Sequence, residues 1–148
     1  MAISFRRATA ADAHGVATVY IASRRGAAAY LPTVGTDEEI RAFVIHQMVP
    51  QRETWIAEDS GQIVAVLTLH GDDVDQFYVA PDAQRRGIGD AMLAHAKRLR
   101  PGGLHLWAFQ RNAPARRFYE ARGFIAKKFT DGATNMEREA DVLYEWTP

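Results

Sequence analysis

Apolar residues recur along the chain with two periods, and each switch between them marks a new element. Ile3 and Phe5 alternate with polar neighbours and predict a short first strand. Thr9 followed by Asp12 opens a helix whose Ala13, Val16, Ala17, Tyr20 and Ile21 share one face. Thr36 and Glu39 have the spacing of a capping box. Ile40, Phe43 and Val44 supply the stripe of this second helix, and Pro50 predicts where it has stopped. Arg24 to Gly35, between the two helices, reads as an aromatic-bearing loop.

Three strands follow. Glu53 to Glu58 and Gln62 to His70 flank Asp59-Ser60-Gly61 as a hairpin, and Gly71-Asp72 turns the chain into Asp73 to Ala80. The run Ile63-Val64-Ala65-Val66-Leu67 is apolar on both faces, so it belongs in the middle of a sheet with helices on each side. From Ile88 to Arg100 the helical period returns, with Ile88, Met92, Ala96 and Leu99 inward, and Pro101-Gly102-Gly103 ends it. Leu104 to Phe109 is again a strand. Asn112 caps a further helix with Pro114 in its first turn and Gly123 at its C′ position. Phe124 to Phe129 and Ala140 to Trp146 close the chain as strands. The order predicts a mixed α/β fold, a central mixed sheet of about six or seven strands with about four helices on its two faces.

With 148 residues, 47% hydrophobic and 24% charged, the chain has apolar mass for one core, and no linker, repeat or low-complexity tract divides it. A single domain over residues 1–148 is expected, and a disordered or collagen-like chain is excluded. The longest apolar stretch, Ile63 to Leu69, is far short of the roughly 20 residues of a membrane helix. The N-terminus carries no export signal, so a cytoplasmic protein with no membrane partner is expected. The absence of cysteine removes disulfides, thiolate metal sites and a cysteine nucleophile.

The formal net charge is zero, yet residues 84–128 hold 11 Lys or Arg against Asp90 and Glu120, a local balance of +9. Such a field suits a small polyanion, whereas extended nucleic-acid binding calls for a strongly basic whole domain. Trp107, Phe109, Phe118 and Tyr119 fall on elements that need them for packing, so no nucleic-acid partner is expected. Arginines that merely solvate two helix faces would give the same count.

The segment Val79-Ala80-Pro81-Asp82-Ala83-Gln84-Arg85-Arg86-Gly87-Ile88-Gly89 runs from a strand end through a Pro-broken turn to a glycine-flanked helix start. Backbone amides converge there, the glycines allow close approach and the helix dipole adds positive charge, so the segment favours an anion. An ordinary strand-to-helix turn is the competing reading of a lone Gly-x-Gly. The third small residue of a dinucleotide fingerprint is missing, as is the Gly-Lys-Ser/Thr of a triphosphate loop. The five histidines have no metal-binding spacing, so no metal is expected.

Two stretches resemble the GNAT superfamily of N-acetyltransferases. They are Gln84-x-x-Gly87-x-Gly89 after a strand ending Val79-x-Pro81, and Asn112-x-x-Ala115-x-x-Phe118-Tyr119-Glu120-x-x-Gly123-Phe124. The order of elements is similar as well, over nearly the whole chain. The resemblance implies a GNAT-like fold and an enzyme that moves an acetyl group from acetyl-CoA, its co-substrate, directly to a primary amine of a small molecule, peptide or protein. By the same resemblance Gln84, Arg85, Arg86, Gly87, Ile88, Gly89 and Asp90 would hold the diphosphate of acetyl-CoA. Val79 and Ala80 at the strand edge would pair with the pantetheine arm, and Asn112 would touch that arm from the other side. Tyr119 would be the general acid for the departing thiolate; a phenol with an ordinary pKa of about 10 is protonated at neutral pH. The competing reading of Tyr119 is a core aromatic beside Phe118. The alternative function is a non-catalytic acyl-CoA-binding sensor or regulatory module.

No serine lies in a Gly-x-Ser-x-Gly setting, which leaves the amine itself to attack the thioester. Period two puts Asp73 and Asp75 on the strand face of Phe77 and Val79, making Asp75 the first candidate base and Asp73 the second, with His70 and His105 behind them. Solvated turn acids are the equal alternative. In such a fold Tyr30 and Leu31, in the Arg24 to Gly35 loop, and residues 130–139 wall the acceptor. Asp131, Glu137 and Glu139 suit a cationic amine and Arg24 and Arg25 a carboxylate, so the signs conflict. The last strand, Ala140 to Trp146, offers an edge through which a homodimer would form.

Overall fold

The computed structural model describes residues 3–27, 35–84 and 86–148. Its elements run β1 (Ile3–Arg7), α1 (Ala13–Ala27), α2 (Asp37–Phe43), β2 (Glu53–Asp59), β3 (Gln62–His70), β4 (Asp73–Val79), α3 (Ile88–Leu99), β5 (Leu104–Phe109), α4 (Ala113–Ala121), β6 (Ile125–Phe129) and β7 (Asp141–Trp146). All seven strands form one sheet in the order β1-β2-β3-β4-β5-β7-β6. Only β4 and β5 are parallel; the other neighbours are antiparallel. The expected mixed sheet with helices on both faces is therefore the one observed.

Two cores flank the sheet. Met92, Leu93 and Ala96 of α3 pack on Leu67, Leu69 and Leu106, with Tyr144 of β7 in the same cluster. On the opposite face Val16 and Ala17 of α1 meet Val66 and Ile56. Burial of each larger side chain contributes roughly 1.5–3 kcal/mol. β3 feeds both layers, and its residues from Val64 to Leu69 are all buried, as its two-sided apolar run requires. The β2–β3 turn has Ser60 at φ 53° and Gly61 at φ 81°, both left-handed, the backbone of a tight hairpin turn.

Three features differ from expectation. α1 runs on to Ala27, so Arg24 lies on a helix rather than in a loop; arginine and alanine are good helix formers, and Gly26, the one glycine of this last turn, costs only about 1 kcal/mol. Pro50 does not stop the second helix. α2 continues through a π-turn (Val44–Met48) into a last piece, Val49–Gln51, with the Val49 N–H donating to the Val44 carbonyl. The His46 carbonyl, which a proline at position 50 cannot serve, accepts instead from Gln51 Nε2 at 3.3 Å. Finally, β7 is not an edge. It lies between β5 and β6, its Val142 and Tyr144 fully buried, which removes the ground for a dimer through that strand. The rims are β1 and β6.

β4 and β5 pair only at Asp73 with His105 and Val74 with Leu106. Beyond those residues the two strands part. The rest of the site is built around that split.

Candidate active site

A cleft of about 1680 Å³ fills the split and reaches both faces of the sheet. Its strand edge is backbone. Ala80 N–H donates to the Val64 carbonyl at 2.8 Å, so by antiparallel alternation Phe77 and Val79 turn their own N–H and C=O groups away from β3 and toward the split. The Val79 carbonyl accepts from Ser23 Oγ at 2.9 Å and from Gln84 Nε2 at 3.4 Å. Ser23, buried on α1, is thus a strut that ties the helix to the open strand end.

Gln84, Gly87, Gly89 and Asp90 line the same cleft. Gly87 caps α3 at φ 78°, a left-handed backbone that favours glycine, and it brings no side chain over the helix end. The first N–H groups of α3 have no partner within the helix, which leaves them for a ligand. A Cβ at Gly89 would sit 3.4 Å from Phe118 Cζ and 3.6 Å from Val79 Cγ2, so the glycine lets the helix start wedge between α4 and the strand end. Ile88 is a core residue and offers the site only its backbone. Arg86 pairs with Asp59 at 2.5 Å and, like Ala80, lines a separate cavity of about 430 Å³ rather than the cleft; the acidic hairpin turn lies within its reach. Arg85, Tyr30 and Leu31 lie outside the described residues.

Tyr119 is held at both ends of its short helix. Asn112 caps α4, its Oδ1 accepting from Ala115 N–H at 3.2 Å. At the other end Phe124 N–H donates to the Tyr119 carbonyl at 3.1 Å and Gly123 N–H to the Glu120 carbonyl at 3.3 Å, the paired bonds of a Schellman stop. Gly123 supplies the left-handed residue at φ 89°. The hydrophobic contact of that motif is the Phe124 ring against Tyr119, with centroids 5.7 Å apart. Phe118, Phe77 and Tyr144 complete an aromatic shell. Behind it the Tyr144 hydroxyl accepts from Arg116 Nε at 3.0 Å and donates to Glu120, pinning α4 to β7. The Tyr119 hydroxyl has no hydrogen bond to the described residues. Burial pushes its pKa up, so the phenol keeps its proton throughout the neutral range.

The expected face of the β4 acids is corrected by a bulge. β3 and β4 change register so that Leu69 opposes Val74 while Thr68 opposes Gln76. Asp75 is the extra residue, and the alternation inverts across it. Val74, not Asp73, shares the face of Phe77 and Val79. Asp75 still lines the cleft, held by Arg52 Nη1 at 2.6 Å. Asp73 and His70 are exposed outside the cleft lining, and His105 meets Glu145 at 3.2 Å.

The wall opposite α3 and α4 is assembled from distant pieces. Tyr20 and Arg24 come from α1, Asp37, Glu39, Ile40 and Phe43 from α2. Trp107 and Phe109 come from β5, and Thr134 to Glu137 from the β6–β7 connection. Of the charged residues expected here, Glu137 and Arg24 do line the cleft. Glu139 pairs instead with Arg111, and Asp131 caps its own turn by accepting from Ala133 N–H. Glu39 was legible only as a capping-box acid, and nothing in the sequence singled out Asp37 beside it. Trp107 is not packed as expected; it is half exposed, because α1 covers β3 and β4 and stops short of β5 on that face. Among the described residues no cluster of His, Asp and Glu could hold a metal ion, and no helix is long and apolar enough to cross a membrane.

Residues 50–126 match the family model described as an acetyltransferase (GNAT) domain, more than half of the chain and the stretch that holds the split, the glycine turn and the whole of α4. The chain belongs to the GNAT acetyltransferase family. The peptidyl-lysine N-acetyltransferase YiaC of Escherichia coli is 36% identical over 73 residues, 49% of this chain and 49% of that protein. The chain spans about half the length of the curated relatives it matches. The fold is similar to the solution structure of apo YjaB from E. coli, with a TM-score of 0.82 at 21% identity over 99% of this chain and 98% of that one. It is also similar to the PaiA N-acetyltransferase of Thermoplasma acidophilum, solved in complex with coenzyme A, with a TM-score of 0.75 at 16% identity over the whole of both chains.

Proposed function

We propose that the chain transfers the acetyl group of acetyl-CoA directly to a primary amine, the side-chain amine of a peptidyl lysine. The observation that carries this reading is the Tyr119 hydroxyl. It stands in the cleft with its proton retained and no partner among the described residues, on a helix fixed at both ends, across from the open backbone edge of β4. Residues of the right chemistry for acetyl-CoA surround it. The unpartnered amides at the start of α3 suit a diphosphate, and the edge of Phe77 and Val79 suits the amide-bearing arm. Bound there, acetyl-CoA supplies a thioester, an activated acyl group that needs no enzyme nucleophile.

The lysine acceptor is supported by the acids Asp37, Glu39 and Glu137 of the far wall and Asp75 of β4, against the one cation Arg24 among the described lining of that wall, and by the names of the curated relatives. The ammonium must lose a proton before it can attack. We assign that proton to Asp75 through water, with Arg52 holding the carboxylate in place. As nitrogen bonds to the carbonyl carbon and the carbon–sulfur bond breaks, Tyr119 gives its proton to the sulfur and is reprotonated from solvent. The second amine proton leaves to water.

A free-CoA assay with a lysine peptide tests the reading. Tyr119→Phe is expected to lower kcat by about 10²-fold or more while KM for acetyl-CoA stays within about twofold. An unchanged kcat removes the general-acid role. CoA binding with no release of free CoA from acetyl-CoA, whatever amine is offered, would turn the chain into an acyl-CoA sensor.

A further inference from the structure

Four large apolar side chains stand exposed among the described residues: Trp107 at 50%, Ile125 at 60%, Phe129 at 56% and Met136 at 78%. Phe129 is covered by the Arg116 guanidinium, 5.6 Å from its ring centre, and Ile125 sits on the rim strand. Trp107 and Met136 are different, because both line the cleft. Leu106 and Ala108 point into the core beneath α3 and α4, so Trp107 between them points to the opposite face, where the far wall stands. Leu143 opposes it across the β5–β7 ladder and is only partly buried. An apolar strip therefore leads from the cleft mouth onto the uncovered sheet face.

Met136 is presented by an anchored turn. Asn135 Nδ2 donates to the Glu139 carbonyl at 2.7 Å and to Asp141 Oδ2 at 3.1 Å, and Gln110 Nε2 donates to the Thr130 carbonyl at 2.9 Å. An exposed thioether and a half-exposed indole lining one cleft have the composition of a contact surface, since Met and Trp are enriched where partners dock. Acids flank the strip where it enters the cleft, with Glu137 beside Met136 and Asp37 and Glu39 on the facing wall. Charge and apolar surface thus share the lining of one cleft, matching a cation next to an apolar group.

We propose that Trp107 and Met136 form a lip that grips a bulky apolar side chain next to the acceptor lysine, so that the enzyme selects lysines flanked by large aliphatic or aromatic residues. This rests on the acetyl-transfer reading above. The occupant is the acceptor chain because the strip is continuous with the cleft; a second copy seated on it would cover the mouth through which the amine must pass.

Two peptides that differ only in carrying Leu or Ser on both sides of a single lysine test the lip. The Leu peptide is expected to have kcat/KM about tenfold higher. That ratio should fall toward one in Trp107→Ser and shrink in Met136→Ser, a substitution of an exposed side chain that leaves the core untouched. Equal kcat/KM for the two peptides in the unmodified enzyme overturns the lip and leaves acetyl transfer standing. A preference that survives both substitutions overturns it as well, as does a dimer in sedimentation that Trp107→Ser dissociates. If neither peptide is acetylated, the peptide-acceptor reading falls, and the lip with it.

Discussion

The α3–α4 wall of the cleft comes from two contiguous stretches, residues 79–90 and 112–124, whereas the wall facing it draws on α1, α2, β5 and the β6–β7 connection. The first wall offers backbone: a glycine turn, unpartnered amides and one phenol locked by local capping bonds. The second offers side chains, acids and exposed apolar groups held in place by long-range contacts such as Gln110 to Thr130. On the acetyl-transfer reading the first wall always meets the same cofactor, and it can be made of main chain, which is insensitive to side-chain change. A wall that meets a particular amine must be made of side chains, and those come from wherever the fold brings them.

If the walls are separable, substitutions on each should move different kinetic constants. After Tyr119 itself, the largest effect is expected at Asp75, where the two walls meet. Asp75→Asn should lower kcat about tenfold with acetyl-CoA KM little changed; an unaltered kcat would mean that the ammonium releases its proton straight to water. Next come two glycines with the same left-handed φ and opposite surroundings. A Cβ at Gly132, φ 81°, would lie 2.3 Å from the Glu139 carbonyl carbon, so Gly132→Ala must displace the turn that carries Met136 and Glu137. A stability loss of about 1–3 kcal/mol and an acceptor KM raised about fivefold are expected. A Cβ at Gly87, φ 78°, meets open space, so Gly87→Ala costs only about 1 kcal/mol of backbone strain and should raise acetyl-CoA KM about threefold. Thermal melts and two-substrate kinetics separate the pair; a shared change in both KM values would join the walls into one unit.

The smallest effect concerns the core beyond both walls. His95 on α3 stacks on Phe5 at 4.9 Å and meets the Trp55 ring edge-on at 4.7 Å, and its buried Nε2 has no hydrogen-bond partner among the described residues. Burial, with the Arg98 charge second, holds its pKa below the ordinary 6.5. The unfolded chain therefore takes up that proton first, and stability falls as the pH drops below about 6.5. Melting temperature should decline from there, less steeply in His95→Phe, with no change in the ratio of the two KM values. Equal slopes for both proteins would assign the pH dependence elsewhere.

Most elements were legible in the chain, for local reasons. Asn112, Pro114 and Gly123 announce both ends of α4, and the Asn112 and Gly123 bonds are now seen to fix Tyr119 itself. Val64 to Leu69 announced a central strand. Pro50 misled because a π-turn and the Gln51 side chain repair the lost bond, and neither leaves a mark in the pattern of apolar residues.

What the sequence by itself determined is the order of elements and the wall made of main chain, because caps, glycines and apolar periods act within a few residues of where they stand. Only tertiary structure decided which face Asp75 takes, that Arg86 turns to Asp59, that β7 is interior, and that Trp107 is left bare at the mouth. The last three depend on partners tens of residues away, and the first on a register slip across the β3–β4 hairpin. A one-residue bulge inverts every side chain beyond it at almost no cost in local pattern, so alternation alone cannot report it.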